Sequence, residues 1–408
     1  MDVILEWEVG DVDPETIRVL ALDGVANEGE GPVEVMQIWE ILRLDSAGLH
    51  LRETVDDLTH SGLSRLRIEA EDRAGNLWQQ VVEIDLPPME LHRTVAFGRD
   101  LNFSELASCD DGRLYLVRLR KEIIVLDDRS FDQVAAVPAE ATSVICPPGM
   151  PYLLFSGEHT GRVDRRTLEV QSVYATTSGI AWTSLDPNRF YLGRTGGVNN
   201  QLMVFTIEPL AIDEWIDVFP PPEHDEWSSA VAISEHARRI FVSNSKNGVR
   251  AIDFDTHEPL DYLSSNSAYR FDSMDMQISA DGGRRLYATV SDGYRLGLAI
   301  FDAQRDTALR TMATEGRPIH LGLSPSGSRV FMTTASDDLS SPNYLFDVVD
   351  PVVLQTFERD PDESGNGRYD GPVEFSADGR LLFTTHQYHN TRENFLDVYL
   401  NRESREGS

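Results

Sequence analysis

The sequence predicts an all-β protein: a small β-sandwich over residues 1–88, a seven-bladed β-propeller over 89–402 and a polar tail over 403–408. Three observations carry that expectation. A strand–turn–strand pattern recurs seven times along most of the chain. Helical periodicity is nearly absent, while short runs alternate apolar and polar residues as half-buried strands do. The first ninety residues contain such runs but not the recurring turn.

The copies begin SCDDGRLYLVRL at Ser108, VICPPGMPYLLFSG at Val144, TSLDPNRFYLGR at Thr183 and AISEHARRIFVSN at Ala232. Three more begin QISADGGRRLYATV at Gln277, GLSPSGSRVFMTT at Gly322 and EFSADGRLLFTTH at Glu374. The first apolar residues after each turn are Leu114, Tyr152, Phe190, Ile240, Leu286, Val330 and Leu381, spaced 38, 38, 50, 46, 44 and 51 apart. A propeller blade of four strands needs about 40–50 residues, so seven copies make seven blades. A third strand follows each copy and often ends in an aspartate at a turn, as in EIIVLDD (122–128), GVRAIDFD (248–255) and GLAIFDAQ (297–304). VVLQTFE (352–358) reads as a fourth, outer strand. The last copy stops after its third strand, LDVYL (396–400), so LHRTVAFG (91–98) is the expected outer strand of that blade. Closure of this kind removes the exposed edge that an open ring would leave.

These copies resemble the YVTN-type β-propeller repeat, best in RPIHLGLSPSGSRVFMTT (317–334) and PVEFSADGRLLFTTH (372–386). The resemblance covers about residues 91–400. It implies the propeller fold and no single activity, because the relatives include surface-layer, lactonase-like and cofactor-domain proteins.

Ahead of the propeller, strands are expected at VILEWEV (3–9), TIRVLALDG (16–24) and VEVMQIWEI (33–41). A hairpin follows, RLRIEAE (65–71) and LWQQVVEID (77–85), turned through Asp72–Asn76 where Gly75 and Asn76 tolerate positive φ. The phrase GLSRLRIEAEDRAGNLWQQVVEID resembles the closing hairpin of bacterial immunoglobulin-like domains. That resemblance implies an immunoglobulin-like sandwich serving as a spacer or adhesion unit outside the cytoplasm. Pro87 and Pro88 break the strand and mark a short, stiff linker.

Composition narrows the function classes. The chain carries 68 acidic and 36 basic residues, a net charge of −32. Nucleic-acid binding depends on a basic footprint and is excluded on that ground, and adhesion to anionic lipid is disfavoured. Residues 1–90 hold 21 acids and six bases, a net of −15, leaving −17 for the other 318. Only Lys121 and Lys246 are lysines, which fits salt adaptation and equally an arginine-biased genome. No apolar run is long enough to span a bilayer, and the opening Met-Asp-Val-Ile-Leu-Glu-Trp lacks the basic and apolar regions of a secretory signal. Cys109 and Cys146 occupy equivalent positions in successive repeats, a placement expected to hold their Cα atoms beyond disulfide reach and leave two semi-buried thiols.

Loops on a rigid scaffold carry function, and here the loop lengths are asymmetric. Turns within each repeat are short, whereas 218–229, 264–274, 291–297, 335–344, 359–371 and 386–395 are long and share the opposite face. They contain His224, Trp227, Tyr269, Arg270, Tyr294, Arg295, Tyr369, His386 and Tyr388, aromatic and basic residues of the kind that anchor interfaces. Asp360, Asp362, Ser364 and Gly365 open like a calcium loop, but Gly371 stands where the bidentate acid belongs. His386 and His389 are three apart on a strand and face opposite ways, against zinc. No nucleophile elbow, P-loop, dinucleotide fingerprint or CxxCH is present; GEHTG (157–161) has a histidine where a nucleophile would stand. His320 falls on an inner strand and reads as a hydrogen-bonded core residue.

The expected function is therefore that of a non-catalytic scaffold subunit with no cofactor, no metal and no catalytic residue. Its partners are other protein subunits of a membrane-anchored assembly, on the periplasmic or extracellular side, with no direct membrane insertion. Strong acidity steers such a protein towards a basic surface. Two alternatives stand beside it. A lactonase-like hydrolase would place two or more titratable groups with perturbed pKa in the propeller channel. A cell-surface adhesion or carbohydrate-binding protein would lose stability on chelation.

Overall fold

The computed structural model describes residues 2–7, 18–21, 33–34, 40–45, 48–54, 62–71, 77–99, 101–194, 201–218, 228–244, 248–263, 275–291, 296–305, 308–335, 341–358, 368–388 and 391–402. Seven four-stranded antiparallel sheets follow one another along the chain, each a blade. The first strand of each blade is Phe103–Cys109, Ala141–Ile145, Thr177–Trp182, Ser228–Ser234, Met276–Ile278, Arg317–Leu323 and Arg368–Phe375, in order. Each of these strands touches the first strand of the next blade, and the seventh touches the first, so the ring is closed around a channel. The fourth strand of the seventh blade is Met89–Arg99, which pairs with Glu393–Asn401. Thr94 Oγ1 donates to Asp397 Oδ1 across that pair at 2.7 Å.

The recurring sequence turns have a local cause. In the first hairpin of the fifth and seventh blades, Ser279 and Ser376 hydroxyls accept from the amides of Arg285 and Leu381, each at 2.9 Å. The same hydroxyls donate to Asp281 and Asp378. Gly282 and Gly379 follow at φ +80° and +74°, a left-handed conformation that glycine adopts without a Cβ clash. The aspartate ending the third strand caps the next turn. Asp164 Oδ1 accepts from the amides of Arg166 and Thr167 at 2.9 and 2.7 Å, and Asp253 Oδ1 from those of Asp255 and Thr256 at 3.0 and 2.8 Å. These backbone donors stabilise the ionised form and hold both carboxyls below the usual carboxylate range.

Apolar residues of each blade face its neighbours, so the core is a set of layers between blades. Tyr115, Val117 and Val125 of the first blade pack with Leu153, Phe155 and Val163 of the second, all fully buried. Phe241 and Ala251 of the fourth meet Leu286 and Phe301 of the fifth in the same way. The expectation of two separated thiols is corrected here. Cys109 and Cys146 are disulfide-bonded, with Cα atoms 5.6 Å apart. Both lie at the ends of innermost strands, where the blades converge on the axis and equivalent positions come within disulfide reach.

The chain divides into two compact units, 1–92 with 399–408, and 93–398. Within 2–86 the backbone forms a three-stranded sheet, in the order Asp2–Trp7, Gly48–Thr54, Glu40–Asp45, and a four-stranded one, Val33–Glu34, Arg18–Ala21, Gly62–Glu71, Leu77–Leu86. The long hairpin of the second sheet pairs from Gly62↔Leu86 to Glu71↔Leu77. The sequence reading had no strand at Gly48–Thr54, although Leu49 and Leu51 alternate as a strand's residues do.

Candidate functional site in the propeller channel

The innermost strands of all seven blades enclose a cavity of about 430 Å³. Its wall is uneven in chemistry. Blades five, six, seven and one are consecutive around the ring and present Asp275, His320, Glu374 and Glu105. Blades two, three and four present Val144, Ile180 and Val231, with small residues between them. Asp275, His320 and Glu105 hold the same repeat position, four residues before Ser279, Ser324 and Cys109; at that position blades three and four carry Gly179 and Ala230. All four polar side chains border the channel and are partly buried.

Their hydrogen bonding differs. Asp275 is fixed: Oδ1 accepts from Met276 N at 2.7 Å and Oδ2 from Leu321 N at 2.8 Å. Among the described residues Glu105 Oε1 accepts only from its neighbour Leu106 N, at 3.2 Å. Among the described residues the Glu374 carboxyl and the His320 ring have no hydrogen-bond partner in the protein. The expectation that His320 is a bonded core residue is thus corrected: its ring borders the cavity.

Burial and mutual repulsion set the protonation. Loss of hydration pushes Asp275 up to about 7, against the pull of its two amide donors. Glu374, desolvated and facing the Asp275 charge, is pushed up to about 8. Glu105 is raised well above its ordinary value by burial and then by the charges of Asp275 and Glu374. Burial alone takes His320 down to about 4. The channel therefore offers protonatable carboxyls and a neutral imidazole at neutral pH. Sequence reasoning passed over all three acids. Their signal was an acid within or just before an inner strand, shortly ahead of the recurring turn, which is weak in one blade and clearer once the repeats are aligned.

A smaller cavity of about 270 Å³ opens between the seventh and first blades, lined by Phe103, Leu119, Tyr369, Asp370, His386 and Asn394 among others. These residues sit where strands meet the long connections. Of the loop residues singled out from the sequence, Tyr369 is 41% exposed here. His386 was expected on an open loop and is buried instead. It lies within the strand Leu381–Tyr388, its ring stacks on Phe395 at 4.9 Å, and Nδ1 lies 3.0 Å from Asp397 Oδ2. Tyr388 closes the cluster edge-on to both rings, at 5.4 and 5.5 Å. His224, Trp227, Tyr269, Arg270, Tyr294, Arg295 and the Asp360–Asp362 loop lie outside the described residues. Among the described residues no three His, Cys, Asp or Glu side chains form a metal-binding group.

Fold and site together define a seven-bladed β-propeller with an acidic central channel. Among solved structures the chain is similar to the Cps50 (Swd1) β-propeller domain of Myceliophteria thermophila, with a TM-score of 0.61 and 14% identity over 77% of this chain and 99% of that one. At such identity the likeness shows the fold alone. No family model matches the sequence, and no curated protein matches it.

Proposed function

We propose that this protein is a non-catalytic interaction subunit whose propeller docks on another protein through the long-connection face. The fold is one commonly used for protein–protein interaction. The observation that carries the reading is the cleft between the seventh and first blades, where Tyr369 stands 41% exposed on a rigid rim. The net charge of −32 suits a basic partner surface. The YVTN-like repeats and the immunoglobulin-like closing hairpin support a place in a membrane-anchored periplasmic or extracellular assembly. The disulfide agrees with an oxidising compartment. The test is purification from the native cell in mild detergent, with mass spectrometry of whatever co-purifies at fixed ratio. A stoichiometric companion lost on Tyr369→Ala supports the reading; a clean monomer sinks it.

One observation favours a second reading, a hydrolase of the lactonase-like sort. Glu374 and Asp275 have pKa values raised to about 8 and about 7, the range of general acids or bases near neutral pH. Against it, no lysine or arginine borders the described channel to hold a developing oxyanion. Hydrolysis of a lactone panel that disappears in Glu374→Gln would establish it, and an inert wild-type protein would remove it.

A further inference from the structure

We propose that the central channel is a binding site for a linear aliphatic diamine or polyamine. Three carboxyls, Glu105, Asp275 and Glu374, face one another across a cavity of about 430 Å³, and no lysine or arginine is among its described lining residues. Buried acids are ordinarily paired with a cation or hydrogen-bonded. Here only Asp275 is well bonded, and the Glu374 carboxyl and the His320 ring border the cavity without a partner among the described residues. The unmet polar groups therefore come from an imidazole as well as from acids, and they open on one enclosed space.

The spacing of the groups selects the kind of cation. Asp275 is near enough to raise the pKa of Glu374 and of Glu105, yet among the described residues no three ligand side chains converge as a single metal ion requires. A cation with two or more separated centres meets that arrangement. Each ammonium carries three donors, enough for a carboxylate and an imidazole nitrogen together. The methylene chain between ammonium groups needs an apolar wall, and Val144, Ile180 and Val231 supply one across the channel.

Binding is then coupled to protons. The titratable groups facing the channel are Glu105, Asp275, Glu374 and His320, and Cys146 on the same wall is held in its disulfide. A dication stabilises the ionised acids, so it displaces protons that the empty channel holds at neutral pH. Affinity rises as pH rises through about 7 to 8.

The experiment is titration calorimetry of the full chain with spermidine and putrescine in about 0.5 M salt, which suppresses general attraction to an acidic surface. It is run at pH 6 and 8.5, and at pH 7.5 in two buffers of different ionisation enthalpy. The expected result is saturable one-site binding at pH 8.5, at least tenfold weaker at pH 6, with net proton release between the buffers. Glu374→Gln, which forfeits no hydrogen bond among the described residues, weakens it at least tenfold, and 1,4-butanediol does not bind. Absence of binding at pH 8.5, full binding by Glu374→Gln, or displacement of spermidine by equimolar calcium would each overturn the proposal. The docking reading is tested on the rim and stands or falls separately.

Discussion

Glu374 shows what one buried acid does to the balance of folding. In the unfolded chain its carboxyl ionises near the ordinary 4.5, and in the fold near 8. Between those values the native state keeps a proton that the unfolded state has lost. Its presence therefore lowers stability progressively as pH rises through that window, and the loss is complete above it. Glu374→Gln should raise the unfolding midpoint at pH 8.5 and leave it unchanged at pH 4, as calorimetry at the two values would read. An equal effect at both would mean that the residue does not hold a proton in the fold. His386 teaches the complementary lesson. A histidine at the end of a strand by a long loop looks like an exposed anchor in sequence. Its burial depends on Phe395 and Asp397 of the neighbouring strand, which no local pattern announces.

At the scale of the strand and turn, sequence and structure correspond closely. The Ser-x-Asp-Gly turns and the strand-ending aspartates are legible because their causes are local hydrogen bonds within five or six residues. Close approach between strands is less legible. Gly161 in the third strand of the second blade lies so near the outer strand that a Cβ would stand 2.0 Å from Gln171 O. Gly161→Ala should therefore destabilise the propeller by about 1–3 kcal/mol, the usual effect of overpacking, read as a lowered denaturant midpoint with an unchanged slope. Nothing in TGR as a sequence distinguishes that glycine from one in an open turn. The channel acids were missed for a related reason: they come one each from the first, fifth and seventh blades, and only the ring brings the three together.

For the whole molecule, two features bind distant parts. The Cys109–Cys146 disulfide ties the first two blades across 37 residues, a loop whose closure constrains the unfolded chain by about 4 kcal/mol. Reduction should lower the thermal midpoint, and Cys109→Ser with Cys146→Ser should reproduce the drop and abolish further sensitivity to reductant. The net charge of −32 works the other way, through self-repulsion of the compact state. Raising salt from about 10 mM to about 0.5 M should raise the thermal midpoint, because the Debye length shrinks from about 30 Å to a few ångströms. A midpoint that falls instead would show that attractive ion pairs, such as Arg189 with Asp213 at 2.7 Å, outweigh the repulsion. By itself the sequence determined the all-β class, the seven repeats and their turns, since periodicity and short-range hydrogen bonding are written along the chain. Only the tertiary structure decided that two cysteines 37 residues apart meet, that His386 is buried and that Glu105, Asp275, His320 and Glu374 share one cavity. The physical reason is that closing the ring sets these separations in space, across blades that no sequence interval measures.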